Sequence, residues 1–255
     1  MALESVNQPY DQADFHRQLV VLAGVEASSR VLDVGCGIGR TLREAALVTQ
    51  QIVGVDSSEE FLELARRSLS ETGHDSVVEL LGVDLNRDVL PFPDADFDNL
   101  VCQNVLECIE DKPRLVADCH RVLKPGGVFL LAHHDFGGVM VNSRDSGLTR
   151  QILAAYADEA QGWMDTSDGE MGRKLPGLMQ GSEFREMTSE TRQLVAFSFA
   201  EGTAAHDYCS DAAKAAVQRG IAKPDVDRWF ADLVALERRG EFYFSIPWVY
   251  VKALK

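Results

Sequence analysis

The sequence predicts an α/β fold built on a doubly wound parallel sheet of about seven strands. Short apolar runs rich in β-branched residues alternate with segments of helical periodicity, and short connections join them. This alternation is typical of right-handed β-α-β units, which form a parallel sheet with helices on its faces. A chain of 255 residues can bury a core without needing a disulfide or a metal.

Periodicity and stop signals give the individual elements. A helix is expected over 11–24, because Phe15, Leu19 and Leu22 share one face and Gly24 can end it. Strands one to five are expected at 30–34, 51–55, 77–83, 97–103 and 128–133, with helices at 41–48, 57–69 and 112–123. Beyond them we expect a helix at 149–160, a strand at 191–199, a helix at 225–239 and a last strand at 242–252.

The expected organisation is a single domain with four parts. Residues 1–29 form a helical cap, 30–134 the central core, and 191–255 the strands and helix that complete the sheet. Residues 135–190 form a helical and loop insertion between strands five and six. This segment is too long for a simple connection, so we expect a lid over a site.

Composition limits the partners and the compartment. The net charge of −15 disfavours nucleic acid and anionic membranes, and it favours neutral or cationic small molecules. The simpler interpretation of the charge is that the acidity only keeps the protein soluble. The five cysteines form no CxxC pair, which indicates reduced thiols. With neither a secretory signal nor a membrane-spanning run, we expect a cytoplasmic protein.

A glycine-rich turn follows strand one. Gly35, Gly37 and Gly39 lie where a parallel sheet brings its backbone close to a ligand, although such a turn can also serve helix packing alone. The third glycine of a dinucleotide fingerprint is replaced by Arg40, which disfavours a pyrophosphate cradle.

Two acids sharpen the interpretation of this turn. Asp33 precedes the glycines, where a carboxylate would repel pyrophosphate but suits an ammonium or sulfonium group. Asp56 ends strand two, where an acid can accept both hydroxyls of a ribose. Together they favour a nucleoside without phosphates that carries a cationic tail.

Five segments resemble motifs of the class I S-adenosylmethionine-dependent methyltransferases, in the family's order and spacing. They are 31–39 (VLDVGCGIG), 54–58 (GVDSS), 82–85 (GVDL), 90–98 (LPFPDADFD) and 121–127 (RVLKPGG). The resemblance implies the Rossmann-like methyltransferase fold, a mostly parallel seven-stranded sheet whose last strand is antiparallel. It also implies methyl transfer from S-adenosylmethionine, and the chain resembles the branch that acts on small molecules of the quinone and natural-product type.

The same resemblance implies which residues contact the cofactor. They are Asp33, Gly35, Cys36, Gly37, Asp56, Ser57, Asp84, Leu85 and Asn104. The glycines would act through their backbone, Asp84 would accept the adenine amino group beside Leu85, and Asn104 would lie near the methionine part. Many relatives have a histidine where this chain has Cys108, so that imidazole is lacking here.

Candidates for proton transfer follow strand five. His133 and His134 lie at the carboxyl end of the predicted sheet, where α/β folds bind ligands, and either could act as a general base. Alternatively, one packs under the sheet and the other faces solvent. No metal site is expected, because the carboxylates nearby form no second cluster.

The lid segment offers candidates for substrate binding. Trp163, Asp165, Asp168 and Glu170 could hold a cationic group by cation–π contact and ion pairing, or they could form an ordinary acidic loop. We expect a small-molecule acceptor, with a homodimer as one assembly state. A protein or peptide methyltransferase, a cofactor-binding protein without activity, and an enzyme of another reaction such as cyclisation remain alternatives.

Overall fold

The computed structural model describes residues 12–159, 164 and 166–255, which divide into two compact units. The sheet unit comprises Asp11–His133, Lys174–Glu190 and Val249–Lys255. The helical unit comprises His134–Arg173 and Thr191–Trp248. Each unit is described by itself below.

The sheet unit is built on parallel strands in the order β3-β2-β1-β4-β5. Its strands are β1 (Arg30–Val34), β2 (Gln51–Asp56), β3 (Val78–Gly82), β4 (Phe97–Gln103) and β5 (Leu123–His134). The helices between them are α1 (Gln12–Ala23), α2 (Arg40–Ala46), α3 (Glu59–Glu71) and α4 (Lys112–Val122). The order reverses beside β1, so a crevice for a ligand is expected at the carboxyl end of this strand.

Local chemistry explains where these helices begin and what they bury. The Ser58 side chain accepts a hydrogen bond from the Phe61 amide and thereby caps α3, which buries Leu62, Ala65 and Leu69 along one face. The Asp111 side chain caps α4 in the same way. The helix ends thus satisfy backbone amides that would otherwise lack an intrahelical partner.

The helical unit contains a second hydrophobic core. The remaining elements of the chain are β6 (Met140–Val141), α5 (Ser146–Ala157), α6 (Met171–Gln180), β7 (Arg185–Ala196), α7 (Ala204–Gln218), α8 (Lys223–Arg238) and β8 (Phe244–Leu254). Helices α5, α7 and α8 pack together, and Trp229, Leu233 and Leu236 lie on the buried face of α8. The Trp229 indole donates to the Thr149 hydroxyl at 3.0 Å.

The predicted α/β fold with a mostly parallel sheet is confirmed, with some differences in its elements. Among the described residues there are eight strands rather than the expected seven or so, because the two-residue strand β6 pairs with β8. Helices α6 and α7 lie in stretches for which the sequence predicted no element. Helix α6 buries Met171, Leu175 and Met179 along one face, but its glycines and its internal Pro176 are residues that disfavour a helix. The buried positions of α7 are mostly alanine, so this helix shows no strong apolar stripe.

Among the described residues, no helix combines the length and the hydrophobicity that crossing a bilayer demands.

Candidate functional site

The turn after β1 contains three glycines with left-handed backbone conformations, and the reasons for excluding a side chain differ among them. Gly35, Gly37 and Gly39 have φ angles of 72°, 52° and 78°. A Cβ at Gly35 would lie 2.3 Å from Val105 Cγ2, and one at Gly39 would lie 3.0 Å from Ala65 Cβ. A Cβ at Gly37 would meet no described atom within 4 Å. Packing therefore explains two of the glycines, whereas Gly37 borders space that a ligand could enter.

Asp56 ties this turn to the end of β2. Its two carboxylate oxygens accept hydrogen bonds from the Gly37 amide at 2.8 Å and the Ser58 amide at 2.9 Å. The Gly35 and Cys36 amides both donate to the Val55 carbonyl. A carboxylate oxygen has two lone pairs, so Asp56 can still accept hydroxyl groups while it orders the turn.

Asp33 is a buried carboxylate with an unsatisfied oxygen. Only 3% of the residue is exposed, and its Oδ2 has no hydrogen-bond partner among the described residues. Burial, and then the nearby Asp56 carboxylate, raise the pKa of Asp33 to about 7. The site is therefore suited to a ligand that brings positive charge to this oxygen.

The surroundings of the Cys36 thiol disfavour its ionised, nucleophilic form. Burial, followed by the charges of Asp33 and Asp56, raises the pKa of this thiol far above its usual range. The side chain is buried, so Cys36 can serve a ligand only through its backbone.

The segment after β3 holds the two residues predicted to flank adenine. Leu85 is buried, whereas Asp84 is half-buried and forms an ion pair with Arg87. Partial burial opposes ionisation, but hydrogen bonds from Arg87 and the Asn86 amide hold the pKa of Asp84 below its ordinary value. The Asn86 side chain donates to the Cys108 carbonyl at 2.9 Å, which links this segment to the one after β4.

The segment after β4 contains the predicted residue Asn104 and also Glu107, which sequence reasoning missed. Asn104 has a positive φ of 54°, and its amide donates to the Ala132 carbonyl of β5. A short 3-10 turn follows, in which Glu107 is buried and its Oε1 lies 4.0 Å from His133 Nε2. The sequence did contain a signal for Glu107, because it is a single carboxylate within the otherwise apolar run 105–109, and an acid buried in such a run usually has a specific role.

The two histidines end β5 in different surroundings. His133 is fully buried and faces the Glu107 carboxylate. His134 is 8% exposed, and its ring centroid lies 6.0 Å from that of Phe136. Neither histidine is the solvated residue that the alternative interpretation expected.

In the helical unit, Arg173 occupies two of the nearby acids. Its guanidinium binds both carboxylate oxygens of Asp135, with nitrogen–oxygen distances of 2.7 and 2.5 Å, and it contacts Glu170 at 3.0 Å. Asp168 accepts from the Glu170 amide at 3.1 Å. Arg173 thus neutralises part of the acidity that suggested a cationic substrate. The other two substrate candidates, Trp163 and Asp165, lie outside the described residues.

Within the described part of the chain, no group of three or more His, Cys, Asp or Glu side chains could hold a metal ion.

Comparisons with known proteins agree with the motifs. Residues 32–131 match a family model described as a methyltransferase domain. A demethylmenaquinone methyltransferase of Symbiobacterium thermophilum is 37% identical over 120 residues, which is 46% of this chain and 47% of that protein. A ubiquinone biosynthesis O-methyltransferase of Thiobacillus denitrificans is 38% identical over 101 residues, which is 40% of this chain and 42% of that protein. The matches thus span less than half of these relatives.

The fold has a close counterpart among solved structures. The YcgJ protein of Bacillus subtilis superposes with a TM-score of 0.61 at 20% identity, covering 95% of this chain and 98% of that one. At this level of identity the similarity shows a shared fold.

Proposed function

Because residues 32–131 match a family model described as a methyltransferase domain, we propose that the protein transfers a methyl group from S-adenosylmethionine to a small-molecule acceptor. The observation that carries the proposal is the turn after β1. There, Gly37 borders open space and donates to Asp56, while the unsatisfied oxygen of Asp33 lies in the adjoining strand. This arrangement suits a ribose and a positive charge without a phosphate.

Nine residues would hold the cofactor in this proposal. They are Asp33, Gly35, Cys36, Gly37, Asp56, Ser57, Asp84, Leu85 and Asn104. When bound, S-adenosylmethionine supplies a methyl group that its sulfonium has already activated. The chain then needs mainly to orient the acceptor, and positioning of this kind can contribute roughly 7–11 kcal/mol. The names of the curated relatives favour a metabolite over a protein or peptide as acceptor.

A labelling experiment tests the transfer. The protein is incubated with methyl-labelled S-adenosylmethionine and a fractionated metabolite extract, and label is followed separately into small molecules and macromolecules. We expect label in small molecules. Label confined to macromolecules would contradict the acceptor class, and cofactor binding without any label would indicate a binding protein.

Replacing Asp56 should weaken cofactor binding. Asp56→Ala removes a charged acceptor for hydroxyls and releases the Gly37 amide, and each such hydrogen bond contributes about 1.5–3 kcal/mol. We expect calorimetry to show affinity reduced roughly a hundredfold or more. Asp111→Ala is the matched control, because Asp111 also accepts from a backbone amide but caps α4 instead. An equal loss in both variants would refute the assigned role.

An acceptor that loses a proton needs a base, and we propose that His133 or His134 supplies it. Replacement of the base by alanine should lower kcat by about 100- to 10,000-fold while cofactor affinity stays unchanged. Glu107→Gln separates the two candidates, since Glu107 faces His133. If Glu107→Gln and His133→Ala both lower kcat, the base is His133. If His133→Ala and His134→Ala both turn over normally, neither histidine is the base.

A further inference from the structure

Four aromatic side chains meet in the helical unit around Tyr208 of α7. The Tyr208 ring lies nearly parallel to that of Phe136, with 6.3 Å between the ring centroids, and it meets Tyr156 edge-on at 4.8 Å. Its centroid lies 5.5 Å from that of Phe244. We call these four residues the aromatic cluster. They come from the turn after β5, from α5, from α7 and from β8, so elements far apart in sequence build it.

The Tyr208 hydroxyl is a polar group buried inside the aromatic cluster. The residue is only 9% exposed, and its hydroxyl oxygen has no hydrogen-bond partner among the described residues. In the same core the Trp229 indole does have a partner, the Thr149 hydroxyl, as buried aromatic N–H and O–H groups usually do. A phenylalanine would fill the space of Tyr208 without leaving a hydroxyl unpaired, so packing alone does not explain a tyrosine here.

The Tyr208 phenol stays neutral in these surroundings. Burial, followed by the neighbouring Tyr156 and Cys209, raises the pKa of Tyr208 well above its usual range. The phenol therefore keeps its proton at neutral pH and can donate it in a hydrogen bond. A carbonyl or hydroxyl oxygen of a ligand is a suitable acceptor for that bond.

The aromatic cluster has an accessible edge. Phe136 and Tyr156 are half-buried, whereas Tyr208 and Phe244 lie inside the core. Solvent therefore reaches one side of the cluster, and a ligand can enter along it. The Phe136 ring also lies 6.0 Å, centroid to centroid, from that of His134, which ends β5 and is a candidate base. A ligand held by the cluster would thus lie close to a group that can take up a proton.

Resting on the function proposed above, we propose that the aromatic cluster binds the methyl acceptor, and that Tyr208 selects acceptors with a flat aromatic ring that carries a carbonyl or hydroxyl oxygen. The rings of the cluster pack against the acceptor ring by stacking and edge contacts, which aromatic pairs favour. The Tyr208 hydroxyl donates to the ring oxygen and so gains the partner that it lacks in the ligand-free protein. An analogue without the oxygen is rejected, because it leaves the buried hydroxyl unpaired.

Three small probes separate the ring from the oxygen: phenol has both, benzene lacks the oxygen, and cyclohexanol lacks the aromatic ring. Binding is measured by NMR titration of the full chain in the presence of S-adenosylhomocysteine. We expect phenol to bind more tightly than cyclohexanol. Tyr208→Phe should weaken phenol binding about fivefold or more, the value of one hydrogen bond, while benzene binding does not weaken.

Tyr243→Phe is the matched control, because Tyr243 belongs to the same unit but makes its ring contact with Phe197, outside the aromatic cluster. This variant should bind phenol like the wild-type protein. The inference would be overturned by a wild-type protein that does not bind phenol, by unchanged phenol affinity in Tyr208→Phe, or by an equal loss in both variants.

Thermal unfolding distinguishes a hydroxyl that serves a ligand from one that serves the fold. Tyr208→Phe should leave the Tm of the ligand-free protein unchanged or raise it, because it removes a buried hydroxyl that has no partner. A lower Tm would show that the hydroxyl already stabilises the ligand-free protein, which would overturn the inference.

The labelling experiment described above separates the two proposals. Label in an aromatic small molecule that carries oxygen supports both. Label confined to small molecules without an aromatic ring would overturn the role of the aromatic cluster and leave methyl transfer standing. Selective phenol binding without any label transfer would overturn the proposed function alone.

Discussion

Gly37→Val is expected to abolish measurable binding of S-adenosylmethionine while the fold is retained. The added side chain would occupy the space beside the turn, which no described atom fills within 4 Å, so it should block a ligand rather than clash with the core. Loss of the close backbone approach should reduce affinity by more than a hundredfold, about 3 kcal/mol or more. Calorimetry measures the affinity, and circular dichroism checks the fold.

Gly73→Val is the matched control for backbone strain. Gly73 follows α3, has a φ of 74° and likewise has no described atom near a Cβ. Both substitutions force a β-branched residue into the left-handed region, which costs about 1–3 kcal/mol. Only Gly37→Val should lose cofactor affinity. If both variants bind the cofactor normally, the turn is not the binding site.

Asp33→Asn is expected to stabilise the ligand-free protein increasingly as the pH rises. The pKa of Asp33 is about 7 in the folded protein and 3.8 when unfolded. Below the lower value both states are protonated and the group has no effect. Between the two values the unfolded chain alone releases the proton, so wild-type stability falls as the pH rises, and above about 7 the loss is complete.

The size of this effect follows from the linkage. One pKa unit corresponds to about 1.36 kcal/mol, so the advantage of Asp33→Asn should grow by about 2–3 kcal/mol between about pH 5 and pH 8. Denaturant titrations at both pH values measure it, and their comparison cancels the constant cost of burying an amide. An advantage that stays the same at both pH values would show that Asp33 titrates normally in the folded protein.

Sequence reasoning was strongest where a short pattern determines local structure. Each of the first five strands was predicted near its observed position, because apolar runs between glycines and polar turns specify a buried strand. Reasoning was weaker for α7, whose buried face consists largely of alanine. Alanine favours a helix but contributes little to an apolar stripe, so the helix emerges only when the packing around it is seen.

Charge pairing over long sequence distances was also beyond sequence reasoning. Asp135 and Arg173 are 38 residues apart, yet the guanidinium binds both carboxylate oxygens. The carboxylate beside His133 likewise comes from a distant part of the sequence, Glu107 in the segment after β4. Pairings of this kind depend on how strands and helices meet, which local periodicity does not encode.

By itself, the sequence determined that this chain has an α/β fold, that a glycine turn follows its first strand, and that acids stand at the ends of strands one to three. Local chemistry suffices for this, because glycine spacing and apolar runs act within a few residues. Only the tertiary structure decided that Gly37 alone of the three turn glycines borders open space, and that Asp33 is buried beside Asp56 without a partner for Oδ2. Burial and through-space repulsion arise from strands brought together by folding, and they turn an ordinary aspartate into a carboxyl group with a raised pKa.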